Sequence, residues 1–109
     1  MEYLFVYGQF RDSAKYRLEQ TTFCGKSSVD GKIYMVDDFY PGFVRGTGKV
    51  IGDVYLIDEE LFPSLDEFEG DEYIRTKIRT TSDIECWVYE YKHDVSNHKL
   101  IKSGDWLLR

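Results

Sequence analysis

The sequence predicts an α+β fold, a small mixed β-barrel with short helices beside it. Most of the 109 residues fall into short segments rich in β-branched and aromatic side chains, with 42% hydrophobic and 17% aromatic residues. Turns containing glycine, proline or Ser-Asp separate these segments. Two short helical segments interrupt the strands rather than alternating with them, which disfavours a parallel α/β sheet. We expect a single domain over residues 1–109 with its own hydrophobic core.

The first half of the chain opens with an apolar run. Residues 2–7 form this run, which ends at Gly8 and is typical of a fully buried strand. Capping signals predict a short helix that begins at Asp12 or Ser13 and runs to about Glu19. Two strands over residues 21–26 and 31–36 are expected around an Asp30-Gly31 turn. Adjacent proline and glycine then predict a loop over residues 39–43.

The second half continues with alternating strands around one more helix. Residues 49–57 alternate in polarity, as a strand does. Pro63 limits the following helix, either by starting it or by bending a first turn begun at Asp58. Two strands complete the pattern: residues 72–80, with Ile74, Thr76 and Ile78 inward and Arg75, Lys77 and Arg79 outward, and residues 84–91 after a Ser82-Asp83 turn.

Composition and charge exclude several classes of function. The net charge of −6 opposes binding to nucleic-acid phosphates, which depends on cationic contacts. The longest apolar run is far too short to span a membrane, and no secretion signal is recognisable, so we expect a cytoplasmic protein without a membrane partner. Cys24 and Cys86 are expected to be reduced, buried thiols.

The usual catalytic machinery is mostly absent from the sequence. His93 and His98 lie five residues apart in a polar stretch, which favours a solvated loop over a zinc site. Without a histidine in the apolar framework, a Ser-His-Asp or Cys-His nucleophile is disfavoured. No phosphate-binding or dinucleotide fingerprint is present, since Gly46-Thr47-Gly48 precedes a strand. We therefore expect neither a metal nor a cofactor.

One acidic residue occupies a position where water should be scarce. At about 100° per residue, Leu61, Leu65 and Phe68 share one helix face. Glu69 lies about 40° from Leu65, whereas Glu67 points roughly 160° away. Glu69 also falls in the last turn, where the helix dipole disfavours a carboxylate. Burial and the dipole should both raise its pKa towards the range of a general base. The alternative is that Glu69 merely solvates a helix end.

A second candidate is the sharp loop after the first strand, Tyr7-Gly8-Gln9-Phe10-Arg11. Gly8 would let backbone N–H groups approach a ligand closely and form an anion-binding nest. The alternative is an ordinary turn.

Taken together, these segments resemble one known family. The segment Phe5 to Arg11 resembles the strand-end "VYGTLR" signature of the γ-glutamylcyclotransferase-like (AIG2-like) family. Tyr40-Pro41-Gly42 matches its "YPG" loop. Three later segments follow in the family's order: the "GEVY" strand at Gly52-Asp53-Val54-Tyr55, the "LDxxEG…YxR" block from Leu65 to Gly70 with Tyr73 and Arg75, and a closing segment from Lys99 to Trp106 similar to the tail of small bacterial members.

The resemblance implies a small β-barrel and an enzyme that releases 5-oxoproline from γ-glutamyl amides. It places the catalytic acid/base on Glu69 and the substrate-binding loop on Tyr7, Gly8, Gln9 and Phe10. Gln9 and Phe10 are bulkier than the small hydroxyl residue and leucine usual in this loop. The partner would be a small γ-glutamyl molecule, bound by a monomer or weak homodimer.

Some alternatives stay open from the sequence. A non-catalytic module could use the same pocket to sense a small metabolite. An aromatic surface at Trp87, Tyr89 and Tyr91 could serve a scaffold or a nucleic-acid-binding barrel, which the acidic charge opposes. Tyr73 could line the pocket or simply pack in the core. Tyr40 and Tyr89 could form aromatic walls. Arg75 would reach a substrate carboxylate only if it pointed inward, which the strand alternation opposes.

Overall fold

Six strands and one α-helix make up the part of the chain that is described. The computed structural model describes residues 1–11 and 21–109, and only the backbone of Gln9. The strands are β1 (Glu2–Val6), β2 (Thr21–Met35), β3 (Pro41–Ile57), β4 (Tyr73–Arg79), β5 (Glu85–Tyr91) and β6 (Lys99–Leu100). Helix α1 spans Phe62–Glu69, and 3-10 turns lie at Gln9–Arg11, Glu59–Leu61 and Trp106–Leu108. None of the helices in these ranges combines the length and the apolar character that a membrane span requires.

The strands form one mixed sheet that curls back on itself. Their order is β4-β5-β1-β3-β2-β6, with β1 antiparallel to β3 and parallel to β5. An additional pairing joins Phe43, near the start of β3, to Glu90 on β5. Because β3 thus contacts β5 directly as well as through β1, the sheet closes into a half-barrel. The predicted fold class, a small mixed barrel with short helices, is confirmed.

The long hairpin of β2 and β3 differs from the prediction. The two strands expected around an Asp30-Gly31 turn are one continuous strand, β2, whose register against β3 shifts between Asp30 and Gly31. The partner on β3 jumps there from Lys49 to Arg45, so residues 46–48 of β3 bulge out and the hairpin bends rather than ending. The expected loop over residues 39–43 is also too long, because β3 already begins at Pro41.

The core has two parts, one on each side of β1 and β5. Phe5 and Val88 belong to the cluster inside the half-barrel, and Leu4 and Tyr89 belong to the cluster beneath α1. β1 is therefore buried on both faces from Leu4 onward, as its uninterrupted apolar run predicts. The second cluster positions α1 and the pocket beside it.

Two expectations about side-chain exposure are wrong. On β4, Ile74 is 52% exposed, whereas Tyr73 is buried and Arg75 is half-buried. α1 packs on the face of the edge strand β4 that carries Tyr73 and Arg75, whereas the opposite face is covered further along, where Ile78 packs against the interior core as expected. Cys24 is exposed, whereas Cys86 is buried as expected, and both are free thiols. The helix predicted from Asp12 or Ser13 to Glu19 lies outside the described residues.

Candidate functional site

Local sequence signals set both ends of α1. The Asp58 side chain accepts a hydrogen bond from the Glu60 N–H at 3.0 Å and caps a 3-10 turn. α1 then begins at Phe62 with Pro63 in its first turn. Both alternatives therefore hold in part: Asp58 begins a preceding 3-10 turn, and Pro63 lies at the start of the α-helix. Gly70 ends the helix with φ +78°, and its N–H bonds to the Asp66 carbonyl. Glu69 is therefore the last helical residue.

A pocket lies between β1, the loop that follows it, and the C-terminal end of α1. Its volume is about 480 Å³ including the open mouth. The lining is largely apolar and aromatic: Leu4, Phe5, Val6, Tyr7, Gly8, Phe10, Tyr40, Pro41, Leu65, Tyr73 and Tyr89, together with Glu69. The structure thus brings Glu69 together with Tyr7, Gly8 and Phe10, and it adds Tyr40, Tyr73 and Tyr89 as walls.

Glu69 is the acidic member of this lining. Its side chain is half-buried, whereas Glu67, two residues earlier, is exposed, in agreement with the helical spacing. Burial raises the pKa of Glu69 from 4.5 to about 7. Over residues 1–11 and 21–109, Glu69 forms no ion pair within 4.0 Å, so no nearby cation offsets the loss of water.

Three tyrosine hydroxyls around Glu69 are engaged in structural hydrogen bonds. The Tyr7 hydroxyl donates to the Tyr89 carbonyl at 2.6 Å and accepts from the Phe43 N–H at 3.2 Å, which ties β5 to β3 where the barrel closes. The Tyr73 hydroxyl donates to the Pro41 carbonyl at 2.7 Å. Burial raises the pKa of Tyr7, Tyr73 and Tyr89 above the ordinary tyrosine value, so all three stay neutral. Their rings form rigid pocket walls.

The loop after β1 is held tightly against the YPG segment. A Cβ at Gly8 would lie 2.8 Å from Cδ of Pro41, so only glycine allows this approach. The Arg11 N–H bonds to the Gly8 carbonyl at 3.0 Å and closes the turn. Among residues 1–11 and 21–109, the N–H groups of Gly8 and Phe10 have no protein acceptor. The loop can therefore offer two backbone donors beside the pocket.

An ion pair on the other side of α1 was missed from the sequence. The Asp66 carboxylate accepts hydrogen bonds from Arg75 Nε at 2.9 Å, Arg75 Nη2 at 3.2 Å and the Tyr89 hydroxyl at 2.7 Å. The guanidinium also lies over the rings of Phe62 and Trp87, at 4.0 and 4.5 Å from their centroids. Arg75 does not point outward as expected. The sequence did contain a signal for this position, because residues two apart on a strand lie on the same face, and Arg75 therefore shares the face of Tyr73.

The histidines lie outside the pocket lining. His93 is exposed and His98 half-buried, and both rings meet the edge or face of Tyr91, with centroids 5.5 and 6.0 Å away. Neither belongs to the residues around Glu69. Within the described part of the chain, the chemistry that this pocket offers is proton transfer by the desolvated Glu69 carboxylate, beside the backbone N–H groups of Gly8 and Phe10.

Comparison with known proteins gives the family. The model of the family "Gamma-glutamyl cyclotransferase, AIG2-like" matches residues 4–108. The γ-glutamylcyclotransferase family protein YtfP of Escherichia coli strain K12 is 37% identical over 110 residues, covering 97% of this chain and 96% of the relative. The γ-L-glutamyl-butirosin B γ-glutamyl cyclotransferase of Niallia circulans is 31% identical over 122 residues, covering 97% of this chain and 76% of the relative.

Solved structures agree with this assignment. The solution NMR structure of Escherichia coli YtfP matches with a TM-score of 0.76 at 37% identity and covers 96% of each chain. The crystal structure of Pyrococcus horikoshii PH0828 matches with a TM-score of 0.81 at 28% identity, over 97% of this chain and 90% of that one. The chain belongs to the γ-glutamyl cyclotransferase, AIG2-like family.

Proposed function

We propose that this protein is an enzyme that releases 5-oxoproline and a free amine from a γ-glutamyl amide, with Glu69 as general acid and base. The observation that carries the proposal is the half-buried Glu69 carboxylate on the pocket wall, with a pKa of about 7. At that pKa the protonated and ionised forms are both populated near neutral pH. This suits a group that must accept a proton and then return it.

The substrate itself supplies the nucleophile for this reaction. The α-amine of a γ-glutamyl group attacks its own γ-carbonyl and closes a five-membered ring. Holding the two groups in an attacking geometry can contribute about 7–11 kcal/mol to lowering the barrier. The protein therefore needs to fold the substrate, move protons and stabilise the oxyanion. Rigid aromatic walls such as Tyr7, Tyr73 and Tyr89 suit the folding of a small substrate.

Glu69 would handle each proton in turn. Ionised Glu69 removes one proton from the α-ammonium, and the free amine adds to the γ-carbonyl to give a tetrahedral intermediate. Protonated Glu69 then donates to the leaving nitrogen, and the bond from the γ-carbon to that nitrogen breaks. The ring nitrogen still carries two hydrogens and gives one to Glu69, which passes it to the released amine through water. The carboxylate ends ionised, ready for another turnover.

The backbone N–H groups of Gly8, Gln9 and Phe10 would bind the negative charge of the substrate. They would hold either its α-carboxylate or the oxyanion of the intermediate, and both are groups that preorganised amides stabilise well. The N–H groups of Gly8 and Phe10 support this role, since neither donates to another group in the part of the chain that the structure describes. Tyr7 would contribute its ring and fix the start of the loop, since its hydroxyl is already engaged.

The test is release of 5-oxoproline, measured by mass spectrometry, from a pooled panel of γ-glutamyl amides. The panel holds γ-glutamyl amino acids, γ-glutamyl polyamines, γ-glutamyl-ε-lysine and glutathione. It also holds γ-L-glutamyl-butirosin B, since one relative is named for that substrate. The wild type should consume at least one member and Glu69→Gln none. Glu67→Gln is the matched control, because Glu67 is an exposed glutamate on the same helix, and it should keep wild-type activity.

Two outcomes would contradict the proposal. Wild-type activity in Glu69→Gln would show that this carboxylate is not the acid/base. No release of 5-oxoproline from any panel member by the wild type would contradict the reaction. Binding of a panel member without turnover would then identify a non-catalytic module that uses this pocket.

A further inference from the structure

A buried arginine lies directly after the loop that lines the pocket. Only 4% of the Arg11 side chain is exposed. Its Nη1 donates to Asp105 Oδ1 at 2.6 Å and to the Ile51 carbonyl at 3.4 Å. Its Nε lies 3.5 Å from Asp53 Oδ2. These three partners belong to β3 and to the C-terminal segment, so the Arg11 side chain joins two distant parts of the chain to the loop.

Asp105 is itself fixed by its surroundings. Its Oδ1 also accepts a hydrogen bond from the Leu107 N–H at 3.0 Å, and its backbone N–H donates to Ser103 Oγ at 3.1 Å. The neighbouring Trp106 is buried in the interior core, and the Gly104 carbonyl accepts from the Ile51 N–H at 2.8 Å. Arg11 is therefore held by an acceptor that has little freedom to move.

The loop is consequently anchored at both ends. At its start, the Tyr7 hydroxyl bonds to the backbone of β5 and β3. At its end, Arg11 bonds to Asp105 and Ile51 through its side chain and to the Gly8 carbonyl through its backbone. The N–H groups of Gly8 and Phe10, which have no acceptor within residues 1–11 and 21–109, lie between these anchors. Donors held in place in this way bind a negative charge without a reorganisation cost.

We propose that Arg11, through its buried bonds to Asp105 and Ile51, is a positioning residue that holds the Gly8–Phe10 backbone in its ligand-binding geometry. The role for the reaction rests on the proposed function, but the effect on the loop does not. Arg11 acts through geometry rather than by attracting an anion, because Asp53 and Asp105 place two carboxylates against its single positive charge. The geometry of the loop then depends on the docking of the C-terminal segment, which carries Asp105.

The test compares Arg11→Met and Arg11→Lys with a control variant, Arg45→Met. Lysine keeps the charge but lacks the planar guanidinium fork that reaches several acceptors at once. Arg45 is ion-paired with Glu90 at 2.9 Å and bonds to Thr76 on β4, so its replacement also breaks an ion pair but leaves the loop contacts intact. Each variant is measured for thermal stability, for ¹⁵N order parameters of the Gly8 and Phe10 amides, and for kcat and KM on the amide that the wild type consumes.

In Arg11→Met the order parameters of both amides should fall from about 0.85 to below about 0.6. The value of kcat/KM per folded molecule should fall about 10²-fold, as expected for a misplaced binding group. A rise in KM would assign the donors to the substrate carboxylate, and a fall in kcat to the oxyanion. Arg11→Lys should give an intermediate loss, and Arg45→Met should change neither quantity.

Rigid loop amides and unchanged kcat/KM in Arg11→Met, whatever its thermal stability, would overturn the proposal. Should Arg11→Met not fold, Arg11→Lys decides by the same two measurements. If the wild type releases no 5-oxoproline but Arg11→Met mobilises the Gly8 and Phe10 amides, the positioning role stands and the proposed reaction fails. The two ideas are thereby separable.

Discussion

Asp66 and Glu69 lie within one turn of each other on α1, yet their surroundings move their pKa values in opposite directions. Asp66 lies on the side of the helix that meets Arg75 and Tyr89, and hydrogen bonds from Arg75 lower its pKa. Glu69 lies on the pocket side, where burial raises its pKa to about 7. One helix thus carries a carboxylate that is ionised at neutral pH and one that titrates near neutral pH.

The difference between the two acids indicates that the pocket needs a carboxylate able to exchange protons at neutral pH. A buried carboxylate without a partner lowers stability, so a fold would be expected to pair Glu69 as it pairs Asp66. Arg75 is engaged by Asp66 rather than by Glu69, since its Nε and Nη2 both donate to the Asp66 carboxylate. Unpaired, desolvated acids are concentrated at functional sites, because only such an acid exchanges protons at neutral pH. This contrast between two neighbouring acids supports Glu69 as the reactive one.

The largest expected effect separates the two acids by activity. Glu69→Gln should lower 5-oxoproline release by about 10²–10⁴-fold, the usual contribution of general acid-base catalysis. Asp66→Asn should lose much less, because Asp66 holds α1 in place and lies outside the pocket lining. Steady-state rates of the two variants with one substrate check this. Equal losses in both variants would contradict the assignment of different roles.

The pH dependence of the rate should follow Glu69. A general base must be ionised, so kcat/KM should fall about tenfold per pH unit as the pH drops below the Glu69 pKa of about 7. Asp66→Asn should leave this midpoint in place, since burial rather than the Asp66 charge raises the Glu69 pKa. Initial rates from pH 5 to 8 measure the profile. A fall in kcat/KM with a midpoint near pH 4.5 would be inconsistent with a desolvated general base.

The raised pKa should also appear as a cost in stability. Folding favours protonated Glu69, so the penalty is absent below the unfolded pKa of 4.5, grows as the pH rises, and is complete above about 7. A shift of this size corresponds to about 3 kcal/mol. Glu69→Gln should therefore be about that much more stable than the wild type at pH 8, with the gap closing by pH 4.5. Urea unfolding at both pH values, with Glu67→Gln as control, tests this.

The smallest expected effect is at the ion pair. Asp66→Asn should destabilise the fold by about 1 kcal/mol at pH 7, a modest value because 44% of the Asp66 side chain is exposed. The lowered pKa makes this stabilisation present above 3.8 and lost as the pH falls further. The difference between Asp66→Asn and the wild type should hence shrink in urea unfolding at pH 3. A constant difference would mean that the carboxylate charge is irrelevant there.

Local patterns in the sequence predicted the parts of the molecule that depend on local geometry. The apolar run before Gly8 predicted a strand buried on both faces, and helical spacing placed Glu69 and Glu67 on opposite sides of α1. The position of Glu69 follows from about 100° per residue and the Gly70 stop, both readable within a few residues. The family resemblance, confirmed by the match over residues 4–108, then connected these segments.

The parts that were missed depend on partners distant in sequence. The bend in β2 at Asp30 and Gly31 arises from a register jump against β3. The inward position of Arg75 follows from α1 covering that face of the edge strand β4. The bond from Arg11 to Asp105 spans almost the whole chain. No local periodicity contains such contacts, and each is decided only once the half-barrel closes.

The most direct test of the account is a ¹³C NMR titration of the side-chain carboxyl groups, with the Glu69 and Asp66 signals assigned from Glu69→Gln and Asp66→Asn. The account predicts that the Glu69 signal titrates with a pKa of about 7 and the Asp66 signal below its ordinary 3.8. A Glu69 pKa near 4.5 would mean that its carboxylate is well hydrated, and it would contradict the assignment of Glu69 as a base at neutral pH.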